Sequence, residues 1–400
     1  MRGVAGNELT ALPFYRAAPS VTDVERSASV ANGVATGAVL KFFQVLPRQI
    51  YKNPVLASFS ELFCLKHLAI AGVSLWHLRM SAASVHPLPL SPIRIRIASR
   101  ESRLAMAQSE WTAAKLSALF PAATVEIIGM TTKGDQTLDR PLAQIGGKGL
   151  FIKELEIAME EGRADIAVHS MKDMPMTLPS EFAAVIVGER EDVRDAFVSN
   201  RYGDIDALPQ GATVGTSSLR RESQLRFVRP DLKIEGLRGN VNTRLAKLDA
   251  GHYDAIILAA AGLKRLQMVN RIRAYLDCAH FLPAIAQGAL GIEYPLHRAE
   301  IATWLAAFAN ADTTAMVTAE RAMGRALTAS CDVPLGARAV ISEGVLHLEG
   351  FVAMPNGSRM IRDRISGSPV DAEKLGLALA EKLLAAGAQS VLDSLGRHAG

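Results

Sequence analysis

The chain has 400 residues, of which 49% are hydrophobic and 21% charged, a composition typical of a soluble globular protein with two or three domains. Residues 1–79 carry eight Lys and Arg against four Asp and Glu, which leaves 36 of each charge and no net charge for residues 80–400. A neutral body argues against general nucleic-acid or membrane binding, and three scattered cysteines argue against a disulfide framework and favour a reducing, cytoplasmic compartment.

Residues 1–91 match no targeting signal. Glu8 and the lack of an apolar core near the start exclude a secretory signal, and the apolar run 68–78 is shorter than the roughly 20 residues of a membrane-spanning helix. We expect residues 1–91 to be an extension that is disordered or results from a mis-assigned start, with Met80 as the true first residue.

From residue 93 onward, β-rich runs alternate with amphipathic runs, which predicts an α/β fold with largely parallel strands. The first lobe is predicted to contain strands at 94–99, 124–130 and 165–171 and helices at 104–119, capped by Ser102, and 150–161. The second lobe is predicted to contain strands at 212–215, 233–237 and 253–258, with helices starting at Ser217 or Ser218, near Asn240, and at 259–266. A strand at 287–294 then returns to the first lobe. Domain 1 therefore comprises 92–188 and 289–306, and domain 2 comprises 194–282.

Residues 311–400 predict a small α+β domain 3. A helix at 313–329 leads to Cys331, and strands at 337–341, 345–354 and 360–365 follow, with a hairpin turn at Asn356-Gly357 and one long closing helix at 371–395. Cys331 lies on the loop after the first helix, where it could serve as an attachment point. Taken alone, a free cysteine is more often a small buried hydrophobe.

Five polar loops follow strand ends in the two lobes, at 98–102, 146–149, 168–173, 215–221 and 237–244. Ligands of open α/β sheets bind beyond the carboxyl ends of the strands, where helix N-termini attract anions. Each loop also has a structural interpretation: Ser102 and Ser218 as helix caps, His169 as a hydrogen-bonding residue, and Arg220 and Arg221 as a solvated helix face.

Residues 216–244 contain seven basic and three acidic residues, which indicates a ligand with several anionic groups because arginine binds carboxylates and phosphates bidentately. The Gly-x-x-x-x-Gly-Lys-[Ser/Thr] motif is absent, and Gly146-Gly-Lys-Gly lacks the acidic ribose ligand of a dinucleotide fold, so a nucleotide site is not expected. Aromatic residues are 6% and do not interleave with the arginines, which argues against single-strand nucleic-acid binding.

In their order and spacing these motifs resemble the hydroxymethylbilane synthase family, also called porphobilinogen deaminases, from Ile93 to the C-terminus. The matching segments are Ile97–Ser102, Gly146–Phe151, His169–Asp173, Gly215–Arg221, Arg238–Arg244, Leu282–Gly288 and the Cys331 loop. The resemblance implies two periplasmic-binding-protein-like lobes with mixed, largely parallel sheets around a cleft, and the C-terminal α+β domain. It also implies a monomeric transferase of tetrapyrrole (haem) biosynthesis that joins four porphobilinogen molecules head to tail, releases ammonia at each step, and frees hydroxymethylbilane by hydrolysis.

The resemblance also implies site residues. Chain growth would occur on a dipyrromethane cofactor bound through a thioether to Cys331, with Asp173 as the catalytic residue; the alternative for Asp173 is an ion pair with Lys172 or a nearby arginine. The expected contacts to cofactor and substrate are Arg100, Ser102, Gln108, Lys148, Ser170, Lys172, Thr216, Ser218, Arg220, Arg221, Arg238, Arg244 and Gln287. No metal is implied. Gln144 stands where the family usually has lysine, from which we expect altered affinity with activity retained.

Two other classes compete with this prediction. A non-catalytic solute-binding protein would also have two α/β lobes that close on an anion, but the appended cysteine-bearing domain argues against it. A thiol protease would need a histidine and an Asn or Asp arranged around Cys331, and the sequence singles out no such set.

Overall fold

The computed structural model describes residues 94–136, 151–327 and 333–396. The predictions for residues 1–91, Gln144, Lys148 and Cys331 lie outside these residues. The strands are β1 (Arg94–Arg100), β2 (Thr124–Met130), β3 (Ile166–Ser170), β4 (Phe182–Val187), β5 (Asp195–Val198), β6 (Thr213–Gly215), β7 (Lys233–Glu235), β8 (Ala255–Ala259), β9 (Ala274–Tyr275), β10 (Leu290–Pro295), β11 (Leu335–Ser342), β12 (Val345–Ala353) and β13 (Met360–Gly367).

The helices alternate with the strands in both lobes and flank the third sheet. They are α1 (Arg103–Leu119), α2 (Lys133–Gln136), α3 (Lys153–Glu160), α4 (Leu219–Val228), α5 (Val241–Asp249), α6 (Ala260–Arg265), α7 (Ala299–Ala306), α8 (Ala311–Ala326), α9 (Ala372–Leu383) and α10 (Gln389–Gly396). Side chains at the predicted starts stabilise two of them, because Ser102 caps α1 and Asn240 caps α5 by accepting from backbone N–H groups.

The two lobes have equivalent five-stranded sheets, with strand orders β2-β1-β3-β10-β4 and β7-β6-β8-β5-β9. In each sheet four of the five strands run in one direction, and the strand that arrives from the other lobe is inserted antiparallel between two of them: β10 between β3 and β4, and β5 between β8 and β9. The predicted two-lobed α/β architecture with mixed sheets is confirmed, with half of the pairings in each sheet antiparallel.

Two segments cross between the lobes, and they pack tightly against each other. Glu191 N donates to Gly288 O (3.2 Å), and Arg190 Nε donates to Gln287 O (2.9 Å). Gly288 has a φ of +90°, and a Cβ at this position would collide with the carbonyl oxygen of Glu191. Only glycine therefore allows this close approach.

Domain 3 is an antiparallel sheet in the order β11-β12-β13, covered by α8 and α9. Its core contains Val317 and Met323 of α8, Leu348 of β12, and Leu379 and Leu383 of α9. The hydrophobic cluster continues into lobe 1 through the buried side chains Met171 and Met174.

The prediction of one uninterrupted C-terminal helix is wrong. Gly387 has a φ of +100° inside a π-turn (Leu384–Ala388), which separates α9 from α10 because a left-handed residue breaks the regular hydrogen-bond ladder.

The segment Pro369–Leu395 is long and apolar enough to cross a membrane, with a mean hydropathy of 1.3. Buried residues such as Leu379 and Val391 belong to the domain 3 core, the pattern of a core helix.

Periodicity missed β4, β5, β9 and α7. Strands β4 and β5 are short, almost wholly apolar runs, and β9 has only two residues. None of the three shows the alternation of apolar and polar residues by which a half-buried strand is recognised. The antiparallel strand β5 positions a residue of the candidate site.

Candidate active site at the carboxyl edges of the two sheets

In lobe 1, the polar residues predicted for the site cluster at one edge of the sheet. The parallel strands β1 and β3 end there at Arg100 and Ser170, and antiparallel β10 begins there, with Leu290 opposite Ser170. Met171 N donates to Ala289 O (3.0 Å), which joins the turn after β3 to the segment before β10. Residues 170–173 and 287–289 therefore share this edge.

In lobe 2, the equivalent edge contains the ends of β6 and β8 and the beginning of antiparallel β5. Asp195, the first residue of β5, pairs with Ala259, the last residue of β8. The reversed direction of β5 thus brings an acidic residue to the edge where the parallel strands end.

Asp195 is 1% exposed and accepts three hydrogen bonds from side chains that the sequence had assigned to the site. Arg220 Nη2 (2.8 Å), Arg221 Nη2 (2.8 Å) and Gln287 Nε2 (3.0 Å) are its donors. Burial acts to raise the pKa of Asp195, but the two guanidinium groups outweigh it and hold the pKa below its usual value. Asp195 is therefore an ionised, buried anchor for both arginines.

Asp195 was not among the site residues predicted from the sequence. The signal that could have identified it is an acidic residue directly before the wholly apolar run Ala196–Val198, since a buried strand places such a carboxylate where it needs cationic partners.

Arg220 and Arg221 are 6% and 7% exposed, so the solvated-face alternative is excluded. Arg220 also donates to Leu282 O (2.6 Å), and Arg221 donates to Ile257 O (2.8 Å). Within the described residues, Arg221 Nε is buried and has no hydrogen-bond partner. An unpaired donor on a charged group is costly, and an anionic ligand would satisfy it.

Cations of lobe 1 and lobe 2 shift one another's pKa values. Burial lowers the pKa of Lys172 to about 8, repulsion by Arg221 and Arg220 adds to the effect, and the carboxylates of Asp173 and Asp195 oppose it. Burial likewise lowers the pKa of Arg244 to about 10, with repulsion from Arg221 and Arg238 and attraction to Asp173. Lobe 1 and lobe 2 therefore contribute to one charge cluster.

The cluster has an excess of positive charge. It comprises the five cations Lys172, Arg220, Arg221, Arg238 and Arg244 and the two carboxylates Asp173 and Asp195. Three anionic groups are needed to balance it, and a ligand with several carboxylates matches this requirement.

Asp173 ends a short 3₁₀ turn (Met171–Asp173), and its side chain is exposed. The turn is fixed at both sides: Met171 is buried in the hydrophobic core, and Gln108 Nε2 of α1 donates to Ser170 Oγ (2.8 Å). A carboxylate on a fixed turn can act repeatedly on a bound ligand, since its own position need not be reorganised.

Several other predicted residues have partners within the protein. Arg100 pairs with Asp135 and lies over the Phe151 ring (4.3 Å), and Ser102 accepts from Ala105 N (3.4 Å) as the cap of α1. Their contact with a ligand stays a prediction.

Thr216 is buried, and its Oγ1 accepts from Ser218 N (3.2 Å), whereas the Ser218 side chain makes no capping hydrogen bond to α4. Gln287 Nε2 also donates to Val193 O (2.7 Å), and Gln287 Oε1 is buried without a partner among the described residues. His169 Nε2 lies 2.9 Å from the fully buried carboxylate of Glu293 but makes no hydrogen bond within the described residues, so its interpretation as a hydrogen-bonding residue stays a prediction.

Known proteins resemble the chain over most of its length. The family described as porphobilinogen deaminase, dipyromethane cofactor binding domain, matches residues 95–303, and the porphobilinogen deaminase C-terminal domain matches residues 314–385. A porphobilinogen deaminase of Nitrosomonas europaea is 56% identical over 305 residues, which cover 76% of this chain and 99% of that protein. One of Chromobacterium violaceum is 57% identical over 299 residues, which cover 75% of this chain and 97% of that protein.

Among solved structures, the methionine binding protein MetQ aligns with a TM-score of 0.36 and 13% identity, over 55% of this chain and 91% of that chain. The periplasmic VFT2 domain of Bordetella pertussis BvgS aligns with a TM-score of 0.34 and 17% identity, over 53% and 85%. The two family matches and the near full-length relatives settle the classification: the chain belongs to the porphobilinogen deaminase family.

Proposed function

We propose that this protein is a transferase that condenses four porphobilinogen molecules head to tail, releases ammonia at each step, and frees linear hydroxymethylbilane by hydrolysis. Growth occurs on a dipyrromethane cofactor bound through a thioether to Cys331, and the protein works as a cytoplasmic monomer. The observation that carries the proposal is the charge cluster at the two sheet edges, in which a lobe 1 carboxylate, Asp173, lies among lobe 2 arginines.

The residues present fit the cofactor and the substrate. Both carry acetate and propionate side chains, and the cluster has three more cations than carboxylates. Arg221 also has a buried Nε without a partner in the described part of the chain. Lys172, Arg221 and Arg244 would hold these carboxylates. When bound, the cofactor supplies the pyrrole end on which the chain grows.

Asp173 has the catalytic role in this proposal. Loss of ammonia from porphobilinogen leaves a cationic azafulvene, and a fixed carboxylate stabilises that charge and can accept or return a proton at the pyrrole nitrogen. The exposed side chain at the end of the 3₁₀ turn is accessible to a ligand held by the arginines. Ser170 and Gln108 hold the turn in place.

Intact-mass spectrometry with Ehrlich's reagent for pyrroles tests the proposal. We expect the purified protein to be heavier than its polypeptide by one dipyrromethane and to react with the reagent. Cys331→Ala should lose the adduct and the activity, whereas Cys278→Ala, the matched control, should keep the adduct. A wild-type mass equal to the bare polypeptide, or an adduct that survives in Cys331→Ala, would contradict the proposal.

A further inference from the structure

A cavity of about 510 Å³ lies where the first crossing segment (residues 190–194), lobe 2 and domain 3 meet. Its walls are the crossing residues Arg190–Arg194, Asp277 and Cys278 after β9, Met316 of α8, and Arg338–Val340 of β11. None of these residues belongs to the charge cluster. A volume in this range is typical of sites for small molecules.

Most charged groups in the cavity wall are already paired. Arg190 makes a bidentate contact with the buried Glu320, at 2.7 and 2.9 Å, and Arg194 pairs with Asp192 at 2.7 Å. Glu191 pairs with Lys264 of α6. These pairs leave two charged lining residues, Arg338 and Asp277, that make no ion pair within the described ranges.

The first of these is Arg338. Its Nε is buried and has no hydrogen-bond partner among the described residues. The carboxylate opposite it across the sheet is Glu349, but Glu349 accepts from Arg362 Nε (2.7 Å). Arg362 also donates to Cys278 O (2.9 Å), which fixes the cavity wall. Arg338 is thus left as a guanidinium in need of an acceptor.

The second is Asp277, which lies at the exposed rim. Among the described residues, Ala279 N donates a hydrogen bond to its carboxylate (3.0 Å), and no cation forms an ion pair with it. The lining carries three arginines and three carboxylates, so the cavity has no net formal charge. A wall without net charge would not attract a dianion. A neutral ligand with opposite charges at its two ends could instead pair with both Arg338 and Asp277.

We infer that this cavity binds a small zwitterion, with a carboxylate on Arg338, an ammonium group on Asp277, and an apolar body against Met316 and Val340. Asp277 belongs to lobe 2 and Arg338 to domain 3, so the ligand ties these two parts together beside the crossing segment. The cavity shares no lining residue with the charge cluster, so this inference does not rest on the proposed function. A bound ligand restrains any motion of lobe 2 relative to domain 3.

Calorimetry on the full chain tests the inference, with 5-aminopentanoate as the probe, glutarate as the matched diacid and pentylamine as the matched amine. We expect 5-aminopentanoate to bind more tightly than either relative. Arg338→Gln should weaken its binding about tenfold or more, as expected for loss of one charged hydrogen bond. Asp277→Asn should weaken it several-fold. Arg364→Gln, an exposed position of β13 outside the cavity, should bind like the wild type.

The thiol of Cys278 reports where the probe binds. Burial raises the pKa of this thiol, with Arg338 opposing the effect, so alkylation by iodoacetamide should be slow. Peptide mapping should show that 5-aminopentanoate slows it further in the wild type and in Arg364→Gln. No binding to the wild type, unchanged affinity in a folded Arg338→Gln variant, or binding without protection of Cys278 would overturn the inference. Neither readout requires turnover, so failure here is distinguishable from failure of the proposed function.

Discussion

Lobe 1 and lobe 2 have the same strand order, but the equivalent edges of their sheets carry different groups. Lobe 1 ends β3 in a short turn that exposes a single carboxylate, Asp173. In lobe 2, β6 is followed by α4, whose second and third residues, Arg220 and Arg221, are buried and held by Asp195. The same strand order thus positions an exposed carboxylate in lobe 1 and a pair of buried, anchored cations in lobe 2.

The antiparallel strands explain how the lobes become one site. Strand β5 brings Asp195 to the edge where β6 and β8 end, and the segment before β10 brings Gln287 to the edge where β3 ends. Gln287 Nε2 donates to Asp195 Oδ1 (3.0 Å). The crossing segments therefore set the position of the arginines relative to the turn that carries Asp173.

If lobe 1 performs the chemistry, Asp173→Asn should have the largest kinetic effect. We expect kcat to fall by about 10²–10⁴-fold, the usual contribution of a positioned acid–base group, while KM changes little. Steady-state kinetics with porphobilinogen measures both. A kcat within threefold of the wild type would remove Asp173 from the catalytic role.

If lobe 2 depends on its buried anchor, Asp195→Asn should reduce the free energy of unfolding by about 3–5 kcal/mol, because it leaves two buried guanidiniums without their carboxylate. Asp249→Asn, which removes the half-exposed partner of Arg271, should cost at most about 1 kcal/mol. Chemical denaturation compares the two variants. Equal losses would show that Asp195 is no special anchor.

Arg244→Gln tests whether lobe 2 mainly binds. The loss of one charged contact to a ligand carboxylate should raise KM about 10- to 100-fold and change kcat less. Arg271→Gln, on the surface of the same lobe, serves as the control and should change neither constant. A fall in kcat with KM preserved would reverse the assignment of roles to the two lobes.

The pH dependence tests the lobe 1 cation. Burial lowers the pKa of Lys172 from 10.5 to about 8, so the folded protein loses this positive charge as the pH rises through about 8. We expect kcat/KM to fall on the basic side, and Lys172→Arg to abolish that fall, since arginine stays protonated. The unfolded chain binds the extra proton between these pKa values, so this group's contribution to stability rises with pH there. A basic limb unchanged in Lys172→Arg would contradict the assignment.

The smallest effect is expected at the support of the turn. Gln108→Leu removes the hydrogen bond to Ser170 Oγ, which should cost about 0.5–1.5 kcal/mol and lower kcat a few-fold with KM unchanged. A matched change on the same helix, Glu110→Leu at an exposed position, should leave kcat unchanged. Identical kinetics in Gln108→Leu and the wild type would show that the turn needs no such support.

The sequence predicted the features that depend on local patterns. The cap at Ser102, the strand at Thr124–Met130 and the cap at Asn240 all occur where expected. It missed Asp195 because the position of this residue depends on the reversed direction of β5, which no local pattern encodes. The break at Gly387 was missed for a related reason, since a single glycine is tolerated in many helices and only the backbone conformation distinguishes the two cases.

The most direct test of the account is intact-mass spectrometry after addition of limiting porphobilinogen to the wild type and to Asp173→Asn. We expect a ladder of wild-type species above the cofactor-bearing mass, each separated by one porphobilinogen minus one ammonia. Asp173→Asn protein that bears the cofactor should form the ladder much more slowly. A wild-type protein that binds porphobilinogen without any covalent mass increase would contradict the account.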